Sequence, residues 1–118
     1  MLEKENMGYK RSKLFLDFHI AGFVYWDGAL VAQELKVGDR LDLALEENNP
    51  YDPNAVAIFY QDNMLGYVPR DENAQLSQLL YFGHDIFEAV ISQVNLEENP
   101  ARQFRVSVRL KDARTPGE

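Results

Sequence analysis

Asn49-Pro50-Tyr51-Asp52-Pro53-Asn54-Ala55-Val56-Ala57-Ile58-Phe59-Tyr60 runs from a tight turn into an apolar strand with nothing between them. Asn and Asp side chains accept hydrogen bonds from their own downstream backbone, and each proline fixes φ, so residues 49–54 predict a rigid loop. Residues 55–60 are apolar on both faces, which is the pattern of a central strand. Gln61-Asp62-Asn63 then turns the chain, and residues 64–68 pair back as a hairpin. This loop and hairpin set the frame of a β-rich domain.

Outward from it, the two-residue period recurs. Leu14, Leu16, Phe18 and Ile20 alternate with Phe15, Asp17 and His19, predicting a strand with one buried face from residue 13. After the turn Lys36-Val37-Gly38-Asp39, Leu41, Leu43 and Leu45 alternate with Asp42, Ala44 and Glu46. Residues 86–94 and 104–110 are two further strands, with Phe104, Val106, Val108 and Leu110 facing one way and Arg105, Ser107 and Arg109 the other. Leu76, Leu79 and Leu80 share one helical face, with Asp71 or Asn73 as cap and Gly83 as the stop. Residues 29–35 are expected to add about two helical turns with Asp27 as their cap. Six short strands with one firm helix predict a mainly β fold, a barrel or sandwich rather than βαβ units.

The chain has 118 residues and no cysteine. That length fits one domain with an independent core. Without thiols there is neither a disulfide nor a thiolate metal site, and a reducing cytoplasm is the expected compartment. His19 and His84 lack the paired spacing of zinc ligands, so no metal is expected. No apolar run is long enough for a membrane span, and the charged N-terminus predicts no secretory leader. The formal charge is −7. Lys4, Lys10, Arg11 and Lys13 outnumber Glu3 and Glu5, and residues 111–118 balance, so residues 14–110 carry a net −9. Counterion release drives non-specific duplex binding, and a body this acidic does not favour it. Recognition of nucleic acid here has to be local and pocket-like.

Three clusters are candidates for function. In the 49–54 loop, turn chemistry alone explains Asn49, Asp52 and Asn54, but not Tyr51, which has little core to pack into. A ring on a rigid loop is a stacking surface for a base. In Gly22-Phe23-Val24-Tyr25-Trp26 the rings cannot all face inward; Phe23 and Trp26 are expected inside, with Tyr25 at the rim. In Gly66-Tyr67-Val68-Pro69-Arg70 the arginine is one of six basic side chains in residues 14–110, and its planar fork suits a phosphate. Adjacent carboxylates such as Glu46 and Glu47 point to opposite strand faces and make no acid–base dyad. No nucleophile elbow, triad or phosphate-cradling loop is present, so neither an enzyme nor a bound cofactor is expected.

Phe18-His19-Ile20-Ala21-Gly22-Phe23, Leu35-Lys36-Val37-Gly38-Asp39, the run from Asn49 to Val56, and Gly66-Tyr67-Val68-Pro69-Arg70 stand in an order that resembles the HIRAN domain family. The resemblance spans about residues 14–110. It implies an OB-like/SH3-like six-stranded β-barrel of HIRAN type over residues 13–111, between a flexible lead-in (1–12) and a flexible tail (112–118). It also implies a non-catalytic module in a DNA-repair or fork-processing context that captures the 3′-hydroxyl end of single-stranded DNA, with RNA left open and a helicase or nuclease as a candidate protein partner; the oligomeric state is left open, a monomer being favoured. By that resemblance Tyr25 and Tyr51 stack on terminal bases, Asp52 accepts from the free 3′-hydroxyl, Tyr67 and Arg70 line the backbone path, and Asn54 belongs to the same set. One departure is Val24, where the family member compared carries an arginine; losing that cation implies modest affinity or a different ligand. A protein-interaction module using the acidic barrel surface is the alternative.

Overall fold

The computed structural model describes residues 12–112 and Arg114. Ser12 apart, the lead-in expected over residues 1–12 lies outside the described residues, as do 113 and 115–118 of the tail. The strands are β1 (Ser12–His19), β2 (Arg40–Leu45), β3 (Val56–Tyr60), β4 (Asn63–Tyr67), β5 (Phe87–Val94) and β6 (Phe104–Lys111). The α-helices are α1 (Gly28–Val31) and α2 (Ala74–Tyr81).

All strand pairings are antiparallel, in the order β1-β6-β5-β2-β3-β4. Strand β2 changes partner midway: Arg40 and Leu41 pair with β5, whereas the stretch from Asp42 to Leu45 pairs with β3. A strand shared in this way turns a corner between two half-sheets. The outer strands then meet. Just past β1, Ala21 exchanges two backbone hydrogen bonds of 2.9 Å with Tyr67 at the end of β4, an isolated bridge that joins the two edges of the sheet. The architecture is mainly β, as the alternation predicts, and OB-like, as the resemblance implies.

The core sits inside this curl. Phe104, Val106 and Val108 from β6, Val56 and Ile58 from β3, Leu65 from β4 and Ile91 from β5 are buried together, and Leu76 of α2 closes one end. Central strand β3 is apolar on both faces because Val56, Ala57 and Ile58 are all buried. Helix α2 stops as expected: Gly83 takes φ +82°, while Gly83 N–H and His84 N–H bond back to the carbonyls of Leu80 and Leu79.

Two expectations need correction. The helix expected over residues 29–35 is a single turn, α1, followed by a tight turn in which Glu34 and Leu35 N–H both bond to the Val31 carbonyl. The tightening drops Leu35 into the core while Leu30 stays exposed, and Asp27 gives no side-chain cap. Strand β1 also does not alternate cleanly. Its register against β6 shifts between Leu14 and Leu16, so Leu14 is exposed and Phe15 packs on Phe87 with ring centroids 5.2 Å apart.

Candidate functional site

The 49–54 loop is braced from both ends by its own side chains. Asn49 Oδ1 accepts from the backbone N–H of Tyr51 (2.8 Å) and of Asp52 (3.0 Å), while its amide donates to Glu46 Oε1 (3.0 Å). Asp52 Oδ1 accepts from Asn54 N–H (2.9 Å), and Asp52 Oδ2 accepts from the side-chain amide of Asn73 (2.9 Å). Asn73 is buried at the head of α2 and makes no side-chain cap; its amide is spent on the loop. From β4 and the turn after it, Arg70 donates to the Tyr51 carbonyl and stands 3.7 Å from Asp52 Oδ2.

Fixing the backbone this way leaves Tyr51 pointing outward, 83% exposed. Beneath it lies a mostly apolar cleft of about 380 Å³, framed by Ala21, Trp26, Pro50, Tyr51, Tyr67 and Val68, with Asp52 and Arg70 at its polar end. Trp26 meets Tyr67 edge-on, ring centroids 5.8 Å apart, and the Tyr67 hydroxyl donates to Glu46 Oε1 at 2.8 Å. Two walls of the cleft are therefore tied to the bridge that joins the sheet edges, through Ala21 and Tyr67. An open apolar slot with one tyrosine on a stiff lip and one ionised carboxylate can stack a planar ring and accept a hydrogen bond from it or its sugar.

Both polar tyrosine and aspartate are tuned. Burial acts to raise the Asp52 carboxyl, but hydrogen bonds from Asn54 N–H and the Asn73 amide, with the Arg70 guanidinium, outweigh it and hold its pKa below the ordinary 3.8. Burial, and then the Glu46 carboxylate that accepts its hydrogen bond, push the Tyr67 phenol up to about 12, so it remains a donor at physiological pH. Because the folded pKa of Asp52 is depressed, its contribution to stability is complete above pH 3.8 and is lost as the pH falls below that value. The urea midpoints of wild type and Asp52→Asn should therefore differ most at neutral pH and converge in acid. A gap that stays constant down to about pH 3 would mean that ionisation of Asp52 does not hold the loop.

The family model of the HIRAN domain matches residues 13–111. The chain belongs to the HIRAN domain family. This is a family of nucleic-acid-binding domains. Among solved structures, the HIRAN fold here is similar to a Lactobacillus plantarum protein from a structural-genomics consortium, with TM-score 0.72 and 21% identity over 86% of this chain and 96% of that one. It is also similar to the HIRAN domain of human HLTF, with TM-score 0.59 and 21% identity over 87% of this chain and 83% of that one. At that identity both likenesses bear on the fold. A search of curated proteins finds no match.

Of the residues singled out from sequence, Tyr51, Asp52, Tyr67 and Arg70 of this HIRAN domain do line one cleft. Tyr25 is 81% exposed and stands outside the lining, next to Trp26 in sequence. Asn54 faces away: its backbone serves Asp52, but its side chain lies in a second cleft and accepts from Ser77 Oγ at 3.4 Å. Trp26 does not fill the interior as expected. The residues from Phe23 to Tyr25 form a 3₁₀ turn, so successive rings point in different directions; Phe23 is buried and Trp26, 42% exposed, becomes a wall of the cleft. Glu46, Asn49 and Asn73, which position Tyr67 and Asp52, carried no sequence signal beyond turn and cap chemistry. Among the described residues, no three His, Cys, Asp or Glu side chains gather where they could hold a metal ion, and no helix is long and apolar enough to cross a membrane.

Proposed function

We propose that this HIRAN domain captures the 3′-hydroxyl end of a single nucleic-acid strand, DNA in the first instance, without chemistry of its own. The observation that carries the reading is the pairing, on one braced loop, of an outward-facing Tyr51 with a carboxylate kept ionised at the end of an apolar cleft. A terminal base stacks on Tyr51 against the Trp26 wall. Each Asp52 oxygen already accepts one hydrogen bond, which leaves lone pairs for a further donor. An ionised carboxylate only accepts, so a free hydroxyl satisfies it and a terminal phosphate repels it.

The cleft offers little positive charge to a phosphate. Among the described residues, Arg70 is the only basic side chain lining the cleft, and both Asp52 and the Tyr51 carbonyl claim it. Val24, half exposed beside Tyr25, adds no cation. Binding therefore rests on stacking and one hydrogen bond, and its salt dependence is shallow. With a short labelled strand at low salt, fluorescence anisotropy should show the 3′-phosphate form binding at least about tenfold more weakly than the 3′-hydroxyl form. Asp52→Ala should erase that preference. Equal affinity for the two ends in wild type, or a preference that survives Asp52→Ala, would defeat end capture.

A second reading has its own observation. Residues 14–110 carry a net −9, which suits a basic protein partner better than a polyanion.

A further inference from the structure

A second cleft, larger than the one beneath Tyr51, opens elsewhere on the domain. It lies on the other side of the 49–54 loop, measures about 530 Å³, and is formed between that loop, the end of β2 and the exposed side of α2. Its polar lining is Glu47, Asn54, Ser77 and Gln78, and its rim carries Tyr81 and Phe82. Those two rings are 59% and 68% exposed and meet edge-on with centroids 5.0 Å apart. Two adjacent exposed aromatics at the end of a helix make an apolar patch outside the core.

Charge decides what suits this cleft. Among the described residues, Glu47 is the only ionisable acid or base lining it besides Tyr81, and no lysine or arginine does. A phosphate backbone would meet a carboxylate and no counter-charge, so a nucleic-acid strand is disfavoured here. A cation is favoured three ways: by the Glu47 carboxylate, by the ring faces of Tyr81 and Phe82, and by the amide oxygens of Asn54 and Gln78. A guanidinium fits this set better than an ammonium, because it stacks flat on a ring while its edge donates several hydrogen bonds. The aromatic rim and Leu45 would cover an apolar neighbour of that arginine.

We infer that the cleft between the 49–54 loop and α2 is a docking site for an arginine-bearing segment of a partner protein, one with apolar residues on either side of the arginine. It is separate from the strand-end cleft, with Tyr51 facing one side of the loop and Asn54 the other. One domain then holds a strand end on one side of a loop and a basic partner on the other. The acidic body, unfavourable for the first task, serves the second.

Two-dimensional NMR of the nitrogen-labelled full chain tests this with the peptide Gly-Ser-Leu-Arg-Leu-Gly-Ser and its counterpart carrying Glu in place of Arg. The arginine peptide should shift amides of residues 74–82 and of Glu47 and Asn54, saturably, while the glutamate peptide leaves them unmoved. Glu47→Gln and Phe82→Ser should each weaken binding about two- to fivefold. Both positions are exposed, so the spectrum should otherwise stay that of the folded domain. Strand-end affinity should not change in either variant, which keeps this result independent of the other cleft. Shifts spread over the acidic surface, no shifts at all, equal response to both peptides, or a single strand perturbing residues 74–82 would each overturn the inference.

Discussion

Gly66→Ala is expected to destabilise the domain strongly, lowering the melting temperature by more than about 10 °C. Gly66 takes φ +145°, a conformation that residues with a Cβ rarely adopt. A Cβ placed there would stand 2.4 Å from the Ala21 carbonyl oxygen and 2.7 Å from Ile20 Cγ2. That oxygen accepts from Tyr67 N–H in the bridge that joins the two edges of the sheet. The backbone therefore has to move, and moving it breaks the bridge. Strain of about 1–3 kcal/mol at the residue adds to roughly 1 kcal/mol for each bridge hydrogen bond lost. Gly38 provides the control: it also has positive φ, +96°, but nothing lies within 4 Å of its Cβ position. Gly38→Ala should cost the conformational part alone, about 1 kcal/mol. Thermal melts followed by circular dichroism compare the two. Equal shifts in both variants would mean that the close approach at Ala21 contributes nothing.

The same bridge explains what was and was not legible in the sequence. Where structure follows from an unbroken local period, the sequence is legible. The alternation from Phe104 to Leu110 and from Leu41 to Leu45, the apolar run at residues 55–60 and the Gly83 stop all depend on neighbours within a few residues. Burial on one face is encoded in that spacing. The loop at residues 49–54 was legible for the same reason, since Asn49 and Asp52 bond to backbone two or three residues ahead.

What failed depends on contacts far apart in sequence. Trp26 was expected inside because a large ring usually is. A 3₁₀ turn and the presence of Tyr67, brought alongside by β4, sent it to the cleft wall instead. Arg70 read as a free cation for phosphate, yet it lies against a carbonyl and a carboxylate nineteen and eighteen positions earlier. Asn73 was recognised as a helix head, but its amide reaches Asp52, and no local rule assigns that partner. Asn54 belongs to the same motif, but its side chain lies in the second cleft, because the backbone turns between Asp52 and Ala55. The bulge beside Phe15 shifts one strand by a residue, and only its pairing with β6 shows that.

Tyr51→Ala should cost roughly five- to a hundredfold in strand affinity while leaving the melting temperature within a few degrees of wild type. The ring can be removed cheaply because the fold does not use it: it is 83% exposed, and the hydrogen bonds at this residue involve only its backbone, with Asn49 and Arg70. In the proposed end capture, its value for binding would come from that same backbone. Pro50 and Pro53 fix φ on both sides, and Asn49, Asp52 and Arg70 hold the loop, so stacking a base orders little that was mobile. Tyr51→Phe keeps the ring face and should bind within about twofold of wild type, whereas Tyr51→Leu keeps apolar area without a flat face and should resemble alanine. Anisotropy titrations of the three variants at two salt concentrations separate stacking from charge. If stacking dominates, the ratio of alanine to wild-type affinity is the same at both concentrations. A ratio that collapses towards one as salt rises would assign the effect to phosphate contacts. Full affinity in Tyr51→Ala would remove the strand end from this cleft altogether.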